Sequence, residues 1–305
     1  MVGFGQPLAA ASGQLLPPGW PGVRTMTLRE LPAGGPAGPL RLDHHLLTLV
    51  TAGHGAHHVD FVAHSCRPGT LVWARPGQVV RYGRNAGLDA VLVAWSADLF
   101  AALRITASGL TDPFGPTHWQ LAGEDEDAVI NEVSQLVVDA ERHRSGDLPA
   151  ELVRHQLAVL VLRVALLPAD GHPTSAEHAT FRRFRLDVER SYAHTRRVED
   201  YAAGLDCSVR TLTRASLAAT GRSAKQIIDD RTALQAKRLL ACTEMPIAEI
   251  GQRLGFPEPT NFGRFFHREV GCSPGTFRAR QRRPEARVST PRASVTALDP
   301  RRRTG

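Results

Sequence analysis

Between residues 41 and 100 the apolar positions fall in short runs broken by turn formers. Leu46, Leu47, Leu49 and Val50 make a β-prone run that stops at Gly53-His54-Gly55. A second run covers residues 56–66 and stops at Arg67-Pro68-Gly69. A third covers 70–74 and stops at Arg75-Pro76-Gly77, and runs at 79–82 and 90–95 follow. Short strands at regular spacing with Pro-Gly turns predict a small sandwich or barrel. Residues 101–123, with Pro113, Gly115 and Pro116, read as irregular. The period then changes. Val129, Val133, Leu136, Val137 and Ala140 lie on one face of a helix that the acids at 124–127 start favourably. Gly146 and Pro149 break the pattern, and a second helix is expected from about residue 150 to 167. It is apolar nearly all round over 157–167, so it must be covered on more than one side. The cover is either its own barrel or a twin helix in a second copy; Leu157, Leu160, Val161 and Val164 are the candidates for that dimer contact. Residues 168–175, made of Pro, Gly, Asp, His and similar residues, read as a linker.

Beyond the linker the chain nearly repeats itself. Leu212 matches Phe262, Arg214 matches Arg264, Gly221 matches Gly271 and Ser223 matches Ser273, all at an offset of 50. Upstream, Tyr201 and Leu205 match Ile250 and Leu254 at an offset of 49, so the one-residue change falls in a turn. Each unit reads as a short helix, a tight turn and a second helix. In the first, residues 198–205 lead to Asp206-Cys207, and Ser208 is the N-cap of the next helix. In the second, residues 247–254 lead to Gly255, which suits the left-handed position that ends a helix, and a new helix starts near Glu258. This is the layout of a helix-turn-helix, whose second helix can enter a DNA major groove. Residues 224–242 between the units read as one helix about 28 Å long, near the roughly 34 Å of one DNA turn. A stiff connector of that length suits two recognition helices in successive grooves. Leu212, Phe262, Phe265 and Phe266 are expected in the core. Arg210, Thr213 and Arg214 then lie opposite in the first unit, and Thr260, Asn261 and Arg264 in the second. Arg pairs bidentately with guanine, Asn does so with adenine, and Thr offers a hydroxyl and a methyl. His267 and Arg268 lie further along and suit phosphate.

The charge divides along the same boundary. Net charge is +7, but residues 1–176 carry 12 Arg against 16 acids, while residues 177–287 carry 21 Arg or Lys against 13 acids. A basic C-terminal half suits a polyanion, because each neutralised phosphate releases counterions. With 42% hydrophobic residues the chain can bury cores. No apolar run is long enough to span a bilayer; the longest, 157–167, is interrupted by Arg163. The first cation is Arg24, so no signal peptide is read. Four separated cysteines without a CxxC pair give no zinc ribbon and no disulfide framework. A soluble, cytoplasmic protein is expected.

At these residues the chain resembles the AraC-type bacterial transcriptional regulators. The likeness is carried by Ile247-Ala248-Glu249-Ile250, Leu254-Gly255-Phe256, Asn261-Phe262, Arg264-Phe265-Phe266, Gly271-Cys272-Ser273-Pro274 and Phe277-Arg278. More loosely, Gly53 to Gly55, Arg67-Pro68-Gly69 and Arg75-Pro76-Gly77-Gln78-Val79 are similar to the cupin-like regulatory domain of many members. The expected organisation is an α+β multidomain chain in which the resemblance implies a cupin-like β-barrel with dimerising helices (41–168) and an all-α DNA-binding domain with two helix-turn-helix motifs (176–284), while composition adds a Gly/Pro-rich leader (1–40) and a basic disordered tail (285–305). The resemblance further implies an activator, often a homodimer, that binds promoter DNA, meets RNA polymerase and answers to a small effector. One departure is that Ala215-Ser216 stand where the first unit usually offers an aromatic core residue. If the barrel keeps an effector pocket, Trp73, Arg75, Arg81 and Trp95 are expected to line it, an Arg favouring a carboxylate or phosphate. The rival reading is a metal-dependent cupin enzyme fused to a DNA-binding module, because His44, His45, His54, His57, His58 and His64 crowd the strands. A metal site needs imidazoles on one side of a strand, at i, i+2. His57 and His58 are adjacent, and Gln78-Val79-Val80-Arg81 stand where a later strand would supply another ligand. Neither a metal, a cofactor nor an enzymatic activity is therefore expected.

Overall fold

The structure is a computed structural model that describes residues 22–30, 38–82, 87–99, 114–142, 146–168 and 176–282. The basic tail, most of the linker and most of the leader lie outside the described residues.

Nine strands form two antiparallel sheets among the described residues. The first has the order β1 (Val23–Thr27), β8 (Asp89–Ser96), β3 (His44–Ala52), β6 (Thr70–Ala74), β9 (His118–Gln120). The second has the order β2 (Leu40–Arg41), β7 (Val79–Tyr82), β4 (Gly55–Val59), β5 (Val62–Cys66). β1 comes from the stretch read as leader and pairs with β8, Val23 opposite Trp95.

Strand alternation sorts the side chains into two layers. Leu46, Val72, Ala74, Leu92 and Ala94 point between the sheets and pack with Leu40, Leu42, Val59 and Val80. Their neighbours Leu47, Leu49, Leu71, Trp73, Val93 and Trp95 point the other way, toward α1 (Gly123–Arg142) and α2 (Asp147–Leu166). On α2, Leu157, Leu160, Val161 and Val164 fill that second layer, at 0, 0, 1 and 2% exposure. The four residues expected to meet a second copy are thus used up inside the chain. The helix has one strongly apolar face per layer to fill, and the barrel's outer sheet takes this one.

The run at 56–66 is two strands, not one. The chain reverses at Asp60 and Phe61, both with left-handed φ, of 50° and 69°, and Val59 pairs with Val62. No Gly, Pro or Asn marks this turn in the sequence, which is why periodicity passes over it. A Phe in that conformation is rare, because its Cβ crowds the carbonyl at a cost of roughly 1–2 kcal/mol.

The C-terminal half is helical: α3 (Ala176–Ser191), α4 (Val198–Gly204), α5 (Val209–Thr220), α6 (Ala224–Cys242), α7 (Ile247–Arg253), α8 (Pro259–Val270) and α9 (Pro274–Arg282). Around α8, Phe256, Phe262, Phe265, Phe266 and Phe277 make an aromatic core with Leu239 and Leu240 of α6. Around α5 the core is built differently. Ala215 and Ser216 are buried and small, and the missing aromatic mass comes from α3, whose Phe184 is fully buried and meets Tyr201 edge-on at 5.6 Å. Burial of one such ring is worth about 1.5–3 kcal/mol, so the departure at 215–216 is offset by a neighbouring helix. The connector α6 is unbroken over 19 residues, and its start is fixed by a capping box between Ser223 and Gln226.

Candidate nucleic-acid interface

The two second helices of the repeat, α5 and α8, are set by matching local devices. Ser208 caps α5 by accepting from the Thr211 amide at 3.0 Å, and α8 starts with Pro259 in its first turn. Both end on a left-handed glycine, Gly221 with φ 69° and Gly271 with φ 79°. With Leu212 at 0% exposure and Phe262 and Phe266 likewise at 0% facing inward, the opposite faces are forced into solvent. Arg210 and Arg214 are exposed and Thr213 half-buried on α5; Thr260, Asn261, Arg264, His267 and Arg268 are exposed on α8. Among the described residues, the side chains of Arg210, Asn261 and Arg264 enter no hydrogen bond or ion pair. Arg268 differs. Its guanidinium donates to Glu269 at 2.7 Å, lies 3.6 Å from the buried Asp229 of the connector and sits 5.5 Å from the Phe265 ring. It braces α8 against α6.

Sequence spacing does not reveal how firmly the two units are joined. Tyr192, just after α3, belongs to both aromatic cores. Arg196 stacks 3.6 Å over the Phe256 ring, and burial there lowers its pKa. A Cβ on Gly255 would come within 2.7 Å of the Ala193 carbonyl oxygen, and φ is 75°, so this turn both needs glycine's backbone and admits a close approach from the other unit. Arg231 of the connector forms a two-pronged ion pair with Glu189 of α3, at 2.5 and 2.6 Å. The recognition helices therefore belong to one braced body, not to two beads on a rod.

In the barrel the structure brings three of the four expected pocket residues, Trp73, Arg75 and Trp95, together, with the two indole rings 5.7 Å apart, and leaves Arg81 away from them. Trp73 and Trp95 lie in the layer under the helices at 2 and 0% exposure, where the period of two puts odd-numbered residues of β6 and β8. Arg75 lies 4.7 Å over the Trp73 ring and donates to the Pro116 carbonyl. Arg81 is on the other sheet, beside a cavity of about 200 Å³ that it shares with Pro39, His58, Phe61, Ala63, Val79 and Gln281. The polar group inside the barrel is His57, which the sequence offers only as a candidate metal ligand and not as a pocket residue. His57 is 1% exposed and stacks on Tyr82 at 4.3 Å, and the Tyr82 hydroxyl is 3.3 Å from Thr48 Oγ1. Neither ring nitrogen of His57 has a hydrogen-bond partner among the described residues. Burial lowers the His57 pKa to about 3 and raises that of Tyr82. The other histidines disperse: His44 bonds Asp43, His45 accepts from Trp73 Nε1 and His64 stacks on His118. Among the described residues no three metal-binding side chains gather, and no helix is long and apolar enough to cross a membrane.

Comparison with known proteins fits this division. A family model described as an AraC-like ligand binding domain matches residues 38–158, and one described as a helix-turn-helix domain matches residues 201–280. The arabinose operon regulatory protein of Salmonella typhimurium is 26% identical over 245 residues, covering 79% of this chain and 85% of that protein. The transcriptional activator RhaR of Enterobacter is 25% identical over 241 residues, covering 78% and 85%. The solved structure of ToxT from Vibrio cholerae aligns with a TM-score of 0.44 at 10% identity, over 85% of this chain and 98% of that one. A ligand-binding barrel and a duplicated helix-turn-helix in one chain, matched in order and along most of its length, make this protein a member of the AraC-type transcriptional regulators.

Proposed function

We propose that the protein is a transcriptional activator that works in the cytoplasm as a homodimer, reading promoter half-sites with α5 and α8 under control of a small effector bound by the barrel. The observation that carries the DNA contact is the pair of solvent-facing helices whose Arg210, Asn261 and Arg264 are committed to no partner among the described residues while their opposite faces are locked in two aromatic cores. In this reading Arg210, Arg214, Asn261 and Arg264 contact base edges, Thr213 and Thr260 add hydroxyl or methyl contacts, and His267 with the capped helix N-terminus at Ser208 meets phosphate. Arg268 reaches phosphate only by giving up part of its brace.

The dimer is supported by the face of α2 that the barrel leaves uncovered. Leu148, Leu152, Val159, Leu162 and Leu166 are 82, 44, 45, 42 and 85% exposed. Together with His155 they recur in alternating steps of four and three residues, the spacing of a two-stranded coiled coil. The effector is supported by the unpartnered His57 beside Tyr82 and Thr48, since buried polar groups are normally hydrogen-bonded; a ligand with hydroxyl or carbonyl groups suits them. Contact with RNA polymerase follows from the activator role.

Selection of bound sites from random DNA with the full chain tests the reading. The expected product is a site with two short conserved blocks about 10 base pairs apart per copy, one for each recognition helix. Failure to enrich any sequence overturns it.

A further inference from the structure

The barrel meets the DNA-binding domain at several points, among them Cys242 Sγ donating to the Pro39 carbonyl at 3.6 Å and Arg185 over the Phe114 ring at 3.6 Å. The contact that buries an ion pair is the tip of the β4–β5 hairpin. The Asp60 carboxylate receives Nε and Nη2 of Arg238, on the connector α6, at 2.8 and 2.6 Å, with both side chains about one-tenth exposed. From its own domain it receives Gln78 Nε2 at 2.9 Å and the Val79 amide at 3.1 Å. The next residue, Phe61, meets the Phe277 ring of α9 edge-on at 5.4 Å and lies 5.3 Å from the Lys237 ammonium. Three features together distinguish this contact from incidental packing. The turn is held in a left-handed conformation that a free hairpin with Phe at its tip would resist. The ion pair is bidentate and desolvated, so its carboxylate cannot leave without exposing a buried guanidinium. Cations meet across it: Arg41 of β2 lies within electrostatic reach of Arg238, and Lys237 lies within reach of Arg238 as well as of Asp60 and Asp230. Without the Asp60 charge the seam sets barrel and connector cations against each other.

We propose that the Asp60-Phe61 tip is a latch that clamps the barrel to the connector helix and to α9, and that its withdrawal frees the DNA-binding domain to reorient. The tip is well placed to answer to the barrel interior. It lies three residues beyond His57 on β4, and β4 pairs directly with β7, His57 opposite Tyr82 and Val59 opposite Val80, where Asp60 also takes the Val79 amide. A change around His57 and Tyr82 moves the two strands that carry the latch. The recognition faces lie elsewhere, with Asn261 and Arg264 exposed, so the latch controls how the reading body is held, not whether its side chains are covered.

The test uses the full chain. Changing Asp60→Asn together with Phe61→Gly gives the turn the residue pair that two-residue hairpins favour, so the barrel stays folded while both docking groups are lost. Changing Arg238→Gln breaks the same bond from the other domain. Small-angle scattering at a mass checked by light scattering is expected to show a larger radius of gyration for both variants than for the unaltered protein, with unchanged circular dichroism. An unchanged radius in both overturns the latch, as does expansion in one variant alone while both are folded. A second readout rests on the homodimer proposed above: inserting five base pairs between two half-sites should cost the unaltered protein roughly tenfold or more in affinity, and the unlatched variants less than about threefold. Expansion with no difference in this readout upholds the latch and counts against the dimer instead.

Discussion

A single arginine illustrates how the interface is built. Arg264 is exposed because Phe262, Phe265 and Phe266 occupy the buried side of the same helix turn. Replacing it by Ala leaves the core untouched and is expected to cost about 1–3 kcal/mol on the selected site while relaxing base preference at one position. Equal loss on every sequence, measured by competition binding, would show a backbone contact. Gly255 is the opposite kind of residue, with no function of its own and no freedom to change. Gly255→Ala adds a Cβ 2.7 Å from the Ala193 oxygen in a left-handed turn and should destabilise the domain by at least about 1–2 kcal/mol in a denaturant titration. His57 sets the acid response of the barrel. Its folded pKa is depressed to about 3 from 6.5 by burial, and that of His45 likewise to about 3. The unfolded chain therefore binds protons that the folded one refuses. Stability is fully present above pH 6.5 and is lost as pH falls toward 3, at up to about 1.4 kcal/mol per unit for each group. The melting temperature should drop between pH 7 and pH 5, and His57→Phe, which keeps the ring stack on Tyr82, should flatten that slope. An identical slope would mean that His57 takes up its proton equally in the folded and unfolded chain.

At the scale of elements, α2 shows where a one-dimensional pattern misleads. It is apolar on two faces, and the pattern alone does not say which face the barrel takes. The structure gives Leu160 to the core and leaves Leu152 at 44% exposure. Leu160→Asp should accordingly unfold the barrel and its helices, at a cost of about 4–5 kcal/mol or more for a buried charge. Leu152→Asp should leave folding within about 0.5 kcal/mol and halve the mass seen by light scattering. A Leu152→Asp protein that remains dimeric would remove α2 from the interface. The helix-turn-helix units, by contrast, were readable nearly residue by residue. Ser208 as N-cap, Gly255 as the left-handed stop and the connector over residues 224–242 all stand as the spacing predicts. Each of these signals is local and needs no knowledge of what packs against it.

At the scale of the molecule, the AraC-type domain order was visible from the change of period near residue 124, the repeat beyond residue 200 and the shift from net acid to net base between the halves. What lay beyond reach were contacts between groups far apart in sequence. Asp60 and Arg238 are 178 positions apart, and nothing in either neighbourhood announces the other. Arg196 on Phe256, Phe184 standing in for the aromatic that α5 lacks, and Trp73 turned under the helices and away from the barrel interior are of the same kind. Period, caps and turn residues are properties of a few consecutive residues, so the order of residues alone determined most of the strands, though not β1, β9 or the reversal at Asp60, together with the paired reading helices and the side of each that must face inward. Which layer covers which face, what neutralises a buried charge and how the barrel grips the reading body depend on the distances that folding sets between remote residues. Only the tertiary structure decided those.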